Sequence, residues 1–278
     1  MSEPIGAPSA ERDYTAWLGR QHRPAHGRRT AERHAAFFLP LLRPGMALLD
    51  IGCGPGSITL GLARAVAPGP CTGLDSDAGV IAAATAAASA EANLRFEHAN
   101  AEQLPYGDAT FGAVFMHAVL QHLDDRAAVL AEAWRVLRPG GVIGVADADF
   151  GGSVIAPAPE PLEQAVGLMA RLRRGRGDAF VGRKLGTLLA GAGFEDVRSG
   201  AVADCDGTAE VTSRVGMFQS AYFAAPEFQA YAVAFGLATA AECDAMSRAW
   251  LEWGGTPGAS WTRFWCCATA RKPGQDGP

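Results

Sequence analysis

Lysine is nearly missing from this chain: Lys184 and Lys272 are the only two, and arginine supplies the other basic side chains. The formal net charge is −5. No basic groove motif with interleaved aromatics is visible, so nucleic acid is not an expected partner. No apolar run approaches the roughly 18 residues that a membrane span needs. Residues 1–12 lack the apolar centre of a signal peptide. Six cysteines stand at 53, 71, 205, 243, 266 and 267, with no C-x-x-C pair. That spacing argues against a zinc site, and in a chain of this length it does not read as a disulfide framework. No Gly-Lys-Ser/Thr follows the glycine loop, which excludes a P-loop. These absences describe a soluble, reduced, cytoplasmic protein with no metal.

The chain has 278 residues, 49% of them hydrophobic. One large core, or one core and a small cap, fits that size. The organising stretch is residues 47–57. An apolar run, Ala47-Leu48-Leu49, ends in Asp50, and Gly52, Gly54 and Gly56 follow on alternate positions. The glycines allow a tight turn and close approach of a ligand to the backbone. The helix that starts at Ser57 offers free amide donors. The loop is not the G-x-G-x-x-G of dinucleotide binders, because Ser57 stands where the last glycine would be.

Around this loop the sequence alternates. A helix is expected over residues 30–42, with Ala35, Phe38, Leu39 and Leu42 on one face. Another spans 57–66, with Ile58, Leu62 and Val66 toward a sheet. Residues 71–75 read as a strand ending in Asp75, and Ser76-Asp77 caps an alanine-rich helix over 80–92. Strands follow at 94–98, 111–117 and 142–146. The helix before the last of these carries Leu123, Ala127, Leu130, Trp134 and Leu137 on one face and is stopped by Arg138-Pro139-Gly140-Gly141. Strand–helix alternation predicts an α/β fold, a doubly wound, mostly parallel Rossmann-like sheet of seven strands. Ligands of such sheets bind beyond the carboxyl ends of the strands. Residues 50–56, Asp75, Asn100, His117 and residues 147–149 all lie at or just past such ends.

The second half is less regular. A helix over 162–172 ends in a cluster, Arg171, Arg173, Arg174 and Arg176, that reads as a solvated helix end or an anion site. A helix over 182–193 precedes a strand at 195–202. Residues 205–258 form a helical insertion before the last strand, 261–270. Thr239 and Glu242 make a capping box there, and Cys243, Met246, Trp250 and Trp253 share a face. Its aromatics either pack on the sheet or roof the ligand cleft. The domains expected are a helical lid over 1–44 and a catalytic domain over 45–278. The basic stretch 20–29 is either a solvated linker or part of that lid, with Tyr14 or Arg29 reaching the ligand.

Asp50-Ile51-Gly52-Cys53-Gly54-Pro55-Gly56 resembles the first motif of class I S-adenosylmethionine (SAM) dependent methyltransferases. Gly73-Leu74-Asp75-Ser76-Asp77 resembles the second, whose acid holds the ribose hydroxyls. Asn100-Ala101-Glu102-Gln103-Leu104-Pro105 resembles the D-A-x-x-L-P segment beside the adenine, with Asn100 in place of Asp. His117 to His122 resembles the motif after strand four, and Trp134 to Gly141 the R-V-L-R-P-G-G signature. Together these cover about residues 45–150 and are similar to the ubiquinone/menaquinone-biosynthesis branch. The resemblance implies SAM as cofactor, held by Asp50, Gly52, Cys53, Gly54, Asp75, Ser76, Asn100, Ala101, Glu102 and His117, to which the lid reading adds Tyr14 and Arg29. The resemblance also implies methyl transfer. The second half is similar only in general layout, so the acceptor does not follow from it. The acceptor expected is O, N or C of a small, hydrophobic or aromatic metabolite, secondary-metabolite or quinone-like. His117 and His122 are candidate bases. Gln121, His122, Asp147, Asp149, Met217, Phe218 and Tyr222 are candidates for contact with the acceptor. Three alternatives stay open: a macromolecule methyltransferase, a SAM-binding enzyme such as a cyclase, and a nicotinamide oxidoreductase. A homodimer is compatible with all of them.

Overall fold

The computed structural model describes residues 29–87, 91–172 and 177–274. Tyr14, Arg173, Arg174, Arg176 and most of the expected lid lie outside them. In chain order the elements are α1 (Ala31–His34), β1 (Leu48–Ile51), α2 (Ser57–Val66), β2 (Cys71–Asp75), α3 (Ala78–Ala87) and β3 (Leu94–His98). Next come β4 (Phe111–His117), α4 (Arg126–Val136), β5 (Leu137–Ala156), α5 (Glu160–Arg171), α6 (Leu185–Gly191) and β6 (Glu195–Asp206). The chain ends with α7 (Ala209–Ala224), α8 (Pro226–Ala234), α9 (Ala240–Gly254) and β7 (Ser260–Arg271).

Seven strands form one sheet in the order β3-β2-β1-β4-β5-β7-β6, and the pairings among β1 to β5 are parallel. Every residue of β1 is buried, as a central strand covered on both faces requires. The glycine loop follows β1, and β4 pairs on its other side with Leu48 opposite Ala113 and Ile51 opposite Met116. The carboxyl ends of β1, β2 and β4 therefore come together.

The chain divides into two compact bodies. One comprises the described residues of Arg23–Asp149, Arg176–Val202 and Trp265–Pro278. Its core on one side of the sheet is built on Leu49, Ile51, Val114, Met116, Leu130, Ile143 and Val145. Its other core holds Phe38, Leu48, Leu62, Val66 and Phe115. The second body holds α5, α7, α8 and α9, with Phe223, Phe228, Met246, Trp250 and Trp253 inside it. There the capping box forms as expected. Glu242 N donates to Thr239 Oγ1 at 3.2 Å, and Thr239 N donates to Glu242 Oε2 at 2.7 Å.

Four expectations change. The helix over 30–42 is only α1 and a 3-10 turn at Leu39–Leu41; Pro40 lacks the amide that a continuing helix needs, and Phe38 stacks on Phe115 instead. α4 buries Val129, Leu130, Ala133 and Val136, not Ala127 and Trp134. Trp134 stays exposed and carries Lys272 against its ring; the lysine Nζ lies 3.8 Å from the ring centroid and donates to Trp134 O and Leu137 O at 2.8 Å each. One of the two lysines thus closes a helix C-terminus, where a cation is favoured. β5 starts at Leu137, earlier than expected, because Gly140 N and Gly141 O pair with Lys272 at 2.9 and 3.0 Å. It also runs on to Ala156, and β6 continues to Asp206. Among the described residues no helix is long and apolar enough to cross a membrane.

Candidate active site

A cavity of about 290 Å³ opens at the carboxyl ends of β1, β2 and β4. Its walls include Arg29, Asp50, Gly52, Cys53, Gly54, Asp75, Ser76, Asn100, Ala101, His117 and His122. Eleven of the residues expected to meet cofactor or substrate are thus brought together. Glu102 is exposed beside it and does not line it.

Gly52, with φ +72°, turns the chain out of β1, and a Cβ added there would overlap Val119 Cγ2. The sequence suggested that a side chain at 52 would meet the ligand; the structure puts Val119 in its way first. Gly52→Val therefore combines left-handed backbone strain of ~1–2 kcal/mol with overpacking of ~1–3 kcal/mol. Urea unfolding is expected to show a loss of about 2–5 kcal/mol together with lost SAM binding. An unchanged midpoint contradicts this loop geometry.

Asp75 ends β2. Its Oδ2 accepts from Gly54 N at 3.0 Å and its Oδ1 from Asp77 N at 3.0 Å. A carboxylate has about four acceptor positions, so two remain for a diol. Asp77 Oδ1 in turn accepts from Gly79 N and Val80 N at 2.8 and 3.1 Å, capping α3. Asp50 is buried on β1, where Thr59 Oγ1 donates to its Oδ2 at 2.7 Å. Burial pushes its carboxyl up to about 7, against the Thr59 bond, and the nearby Asp75 adds to the rise. Burial, followed by the Asp50 and Asp75 charges, also pushes the Cys53 thiol up. Cys53 is a space-filling thiol here and a poor nucleophile. Asn100 Oδ1 accepts from Glu102 N at 3.0 Å and keeps a second lone pair.

His117, the last residue of β4, stacks on Trp265 with centroids 4.7 Å apart. Arg29 lies over the same indole at 5.0 Å and approaches His117 Nδ1 at 3.4 Å. His122 stands on a 3-10 turn, Leu120–His122. Asp147, fully buried, holds that turn by accepting from Leu120 N and Gln121 N at 3.1 and 3.3 Å. Asp147 therefore braces a backbone and does not line the cavity, and neither does Gln121. Asp149 is engaged by Arg183, whose Nη2 donates to Oδ1 at 2.7 Å. On α7, Met217 and Phe218 are exposed, whereas Tyr222 is packed between Phe223 and Phe228.

The sequence reading missed Trp265 and Gly177, and held Ala118 and Val119 only as members of the motif after strand four, with no role of their own. Ala118 lines the cavity at φ +60°, a conformation that alanine seldom takes and that nothing in its identity announces. Gly177 has φ +114°, and a Cβ there would overlap the Gln121 carbonyl oxygen. Alternation along β7 was legible, but which side chain would reach His117 was not.

Residues 49–145 match a family described as a methyltransferase domain. An uncharacterized methyltransferase of Schizosaccharomyces pombe is 31% identical over 58% of this chain and 60% of its own length. The 27-O-demethylrifamycin SV methyltransferase of Amycolatopsis mediterranei is 40% identical over 46% of each chain. The chain spans about half the length of the curated relatives it matches. Among solved structures, the YcgJ protein of Bacillus subtilis superposes with a TM-score of 0.59 at 16% identity, covering 87% of this chain and 99% of that one. Its likeness is one of fold. With the glycine loop, Asp75 and Asn100 gathered on one cavity inside the matched segment, residues 49–145 form the core of a class I S-adenosylmethionine-dependent methyltransferase domain.

Proposed function

We propose that the whole chain transfers the SAM methyl group to an O, N or C atom of a small, hydrophobic or aromatic metabolite. The observation that carries this is the convergence of two acids, an arginine and two histidines on one cavity beside the glycine loop. The two acids and the arginine each have a partner in SAM. The diol is met by Asp75, the adenine amine by Asn100, and the close approach of the nucleoside by Gly52 and Gly54. The ligand's amino-acid end carries an ammonium and a carboxylate; Arg29 complements the carboxylate, and the buried Asp50, raised to about 7, offers the ammonium an acceptor oxygen that does not depend on a full charge. His117 lies by that end and His122 by the acceptor, where it takes a proton if the acceptor carries one.

The sulfonium supplies an activated leaving group when SAM is bound. The protein's part is then to align donor and acceptor and, for a protic acceptor, to remove the proton. The demethylrifamycin enzyme among the relatives is named for an O-methylation of a small molecule, which supports this substrate class. The test supplies methyl-labelled SAM with hydroxylated naphthoquinones and phenols, and separately with RNA and with protein. Label is expected in the extracted small molecules only. Label confined to RNA or protein contradicts the reading.

A further inference from the structure

To meet an adenine amine, Asn100 must present its side-chain oxygen and not its nitrogen. The loop fixes that choice. Glu102 N donates to Asn100 Oδ1 at 3.0 Å. A backbone amide only donates, so the oxygen has to stand at that end of the side chain. Gln103 N donates to Asn100 O at 3.2 Å. The orientation of the Asn100 amide is therefore only as firm as the turn over residues 100–104.

That turn is held from α4. The Leu104 amide donates to Glu132 Oε2 at 2.7 Å, and its carbonyl accepts from Arg135 Nη2 at 3.1 Å. The amides of residues 102, 103 and 104 are thereby all engaged. Arg135 Nη1 also donates to Tyr106 O at 2.7 Å. The two α4 side chains lock each other, with Arg135 Nε and Nη2 donating to Glu132 Oε1 and Oε2 at 2.7 and 2.8 Å. Both are less than a third exposed, and such a fork is specific in geometry. Above all the Arg135 bonds hold the Glu132 carboxyl below the usual carboxylate range. Glu132 thus stays ionised and accepts only. All of these residues belong to one compact body, and neither Glu132 nor Arg135 lines the cavity.

We propose that Glu132 and Arg135 are positioning residues that select the adenine base, by holding the 100–104 turn in which the Asn100 oxygen is set to accept from the adenine amine. The proposal rests on the reading that Asn100 meets that amine. A hypoxanthine base carries a carbonyl where adenine carries the amine, so two acceptors would face each other. Turning the Asn100 amide to suit the carbonyl gives up the Glu102 bond. A turn released from α4 loses that constraint and accepts either base. The two side chains therefore act on which nucleoside binds as well as on how firmly the domain folds.

The test titrates the full-length protein with S-adenosylhomocysteine and with S-inosylhomocysteine, its deaminated counterpart. The wild type is expected to prefer the adenosyl compound by about tenfold, the worth of one hydrogen bond, and Asn100→Ala to lose that preference. Arg135→Met is expected to lose most of it as well. So is Arg135→Lys, because an ammonium keeps the charge but not the fork. An Arg135 variant shown by urea unfolding to be folded, which weakens both compounds alike and keeps the wild-type ratio, overturns the proposal and leaves the Asn100 reading standing. A wild type with no preference, matching Asn100→Ala, removes that reading and the proposal with it. Amide hydrogen exchange of the ligand-free wild type decides the matter if neither variant folds. Protection at residues 102–104 is expected before any ligand is added, and exchange there at the free-chain rate overturns the proposal.

Discussion

Asp75→Ala is expected to weaken SAM binding by at least about a hundredfold. Hydrogen bonds from hydroxyls to an ionised acceptor contribute ~1.5–3 kcal/mol each, and a diol makes two. The structure adds a second reason. Asp75 also accepts from Gly54 N and Asp77 N, so its loss releases both the glycine loop and the start of α3. The ligand then meets a loop that must be ordered again on binding. Equilibrium dialysis with labelled SAM measures the affinity, and urea unfolding separates lost contacts from lost fold. A folded variant that binds SAM as the wild type does contradicts the ribose assignment.

Asp50→Asn is expected to change stability in a pH-dependent way. The Asp50 carboxyl is raised from an ordinary 3.8 to about 7 by burial. The folded protein therefore holds this proton more tightly than the unfolded chain. The associated stability is complete below about pH 4, falls as pH rises, and is lost above pH 7. A displacement of that size corresponds to ~4 kcal/mol. Asparagine carries no charge at either pH, and its amide oxygen can still accept from Thr59. The amide's own burial cost is the same at every pH and cancels in the comparison. The stability of the variant minus that of the wild type is thus expected to rise by ~4 kcal/mol between pH 4 and pH 8. Urea unfolding at both pH values measures it. A difference independent of pH contradicts an Asp50 held mostly neutral by its surroundings.

The strands that carry the cavity were legible because each is a short apolar run bounded by a glycine or an acid. β2, β3, β4 and α2 have the bounds that the sequence implied. Asp50, Asp75 and Asn100 were legible for the same reason, since each ends or follows such a run. What the sequence hid was set by tertiary contact. Trp134 meets Lys272, 138 positions away, at the surface, and the face that α4 buries carries Val129, Leu130, Ala133 and Val136. Pro139-Gly140-Gly141 reads as a stop but is drawn into strand pairing by the same distant segment. Asp147 and Asp149 sit where a ligand-binding acid would be expected. Their partners, the 120–122 turn and Arg183, lie 26 to 34 positions away, and no local pattern marks them. Trp265 carries no sequence signature of its place beside His117, and the left-handed backbone of Ala118 is not marked by its residue type.

Calorimetric titration of the full-length protein with S-adenosylhomocysteine, the product left after methyl transfer, addresses the central claim most directly. The account predicts saturable binding at one site per chain, abolished or much weakened by Asp75→Ala. No heat with this nucleoside or with SAM, and saturable heat with NAD in its place, would contradict it.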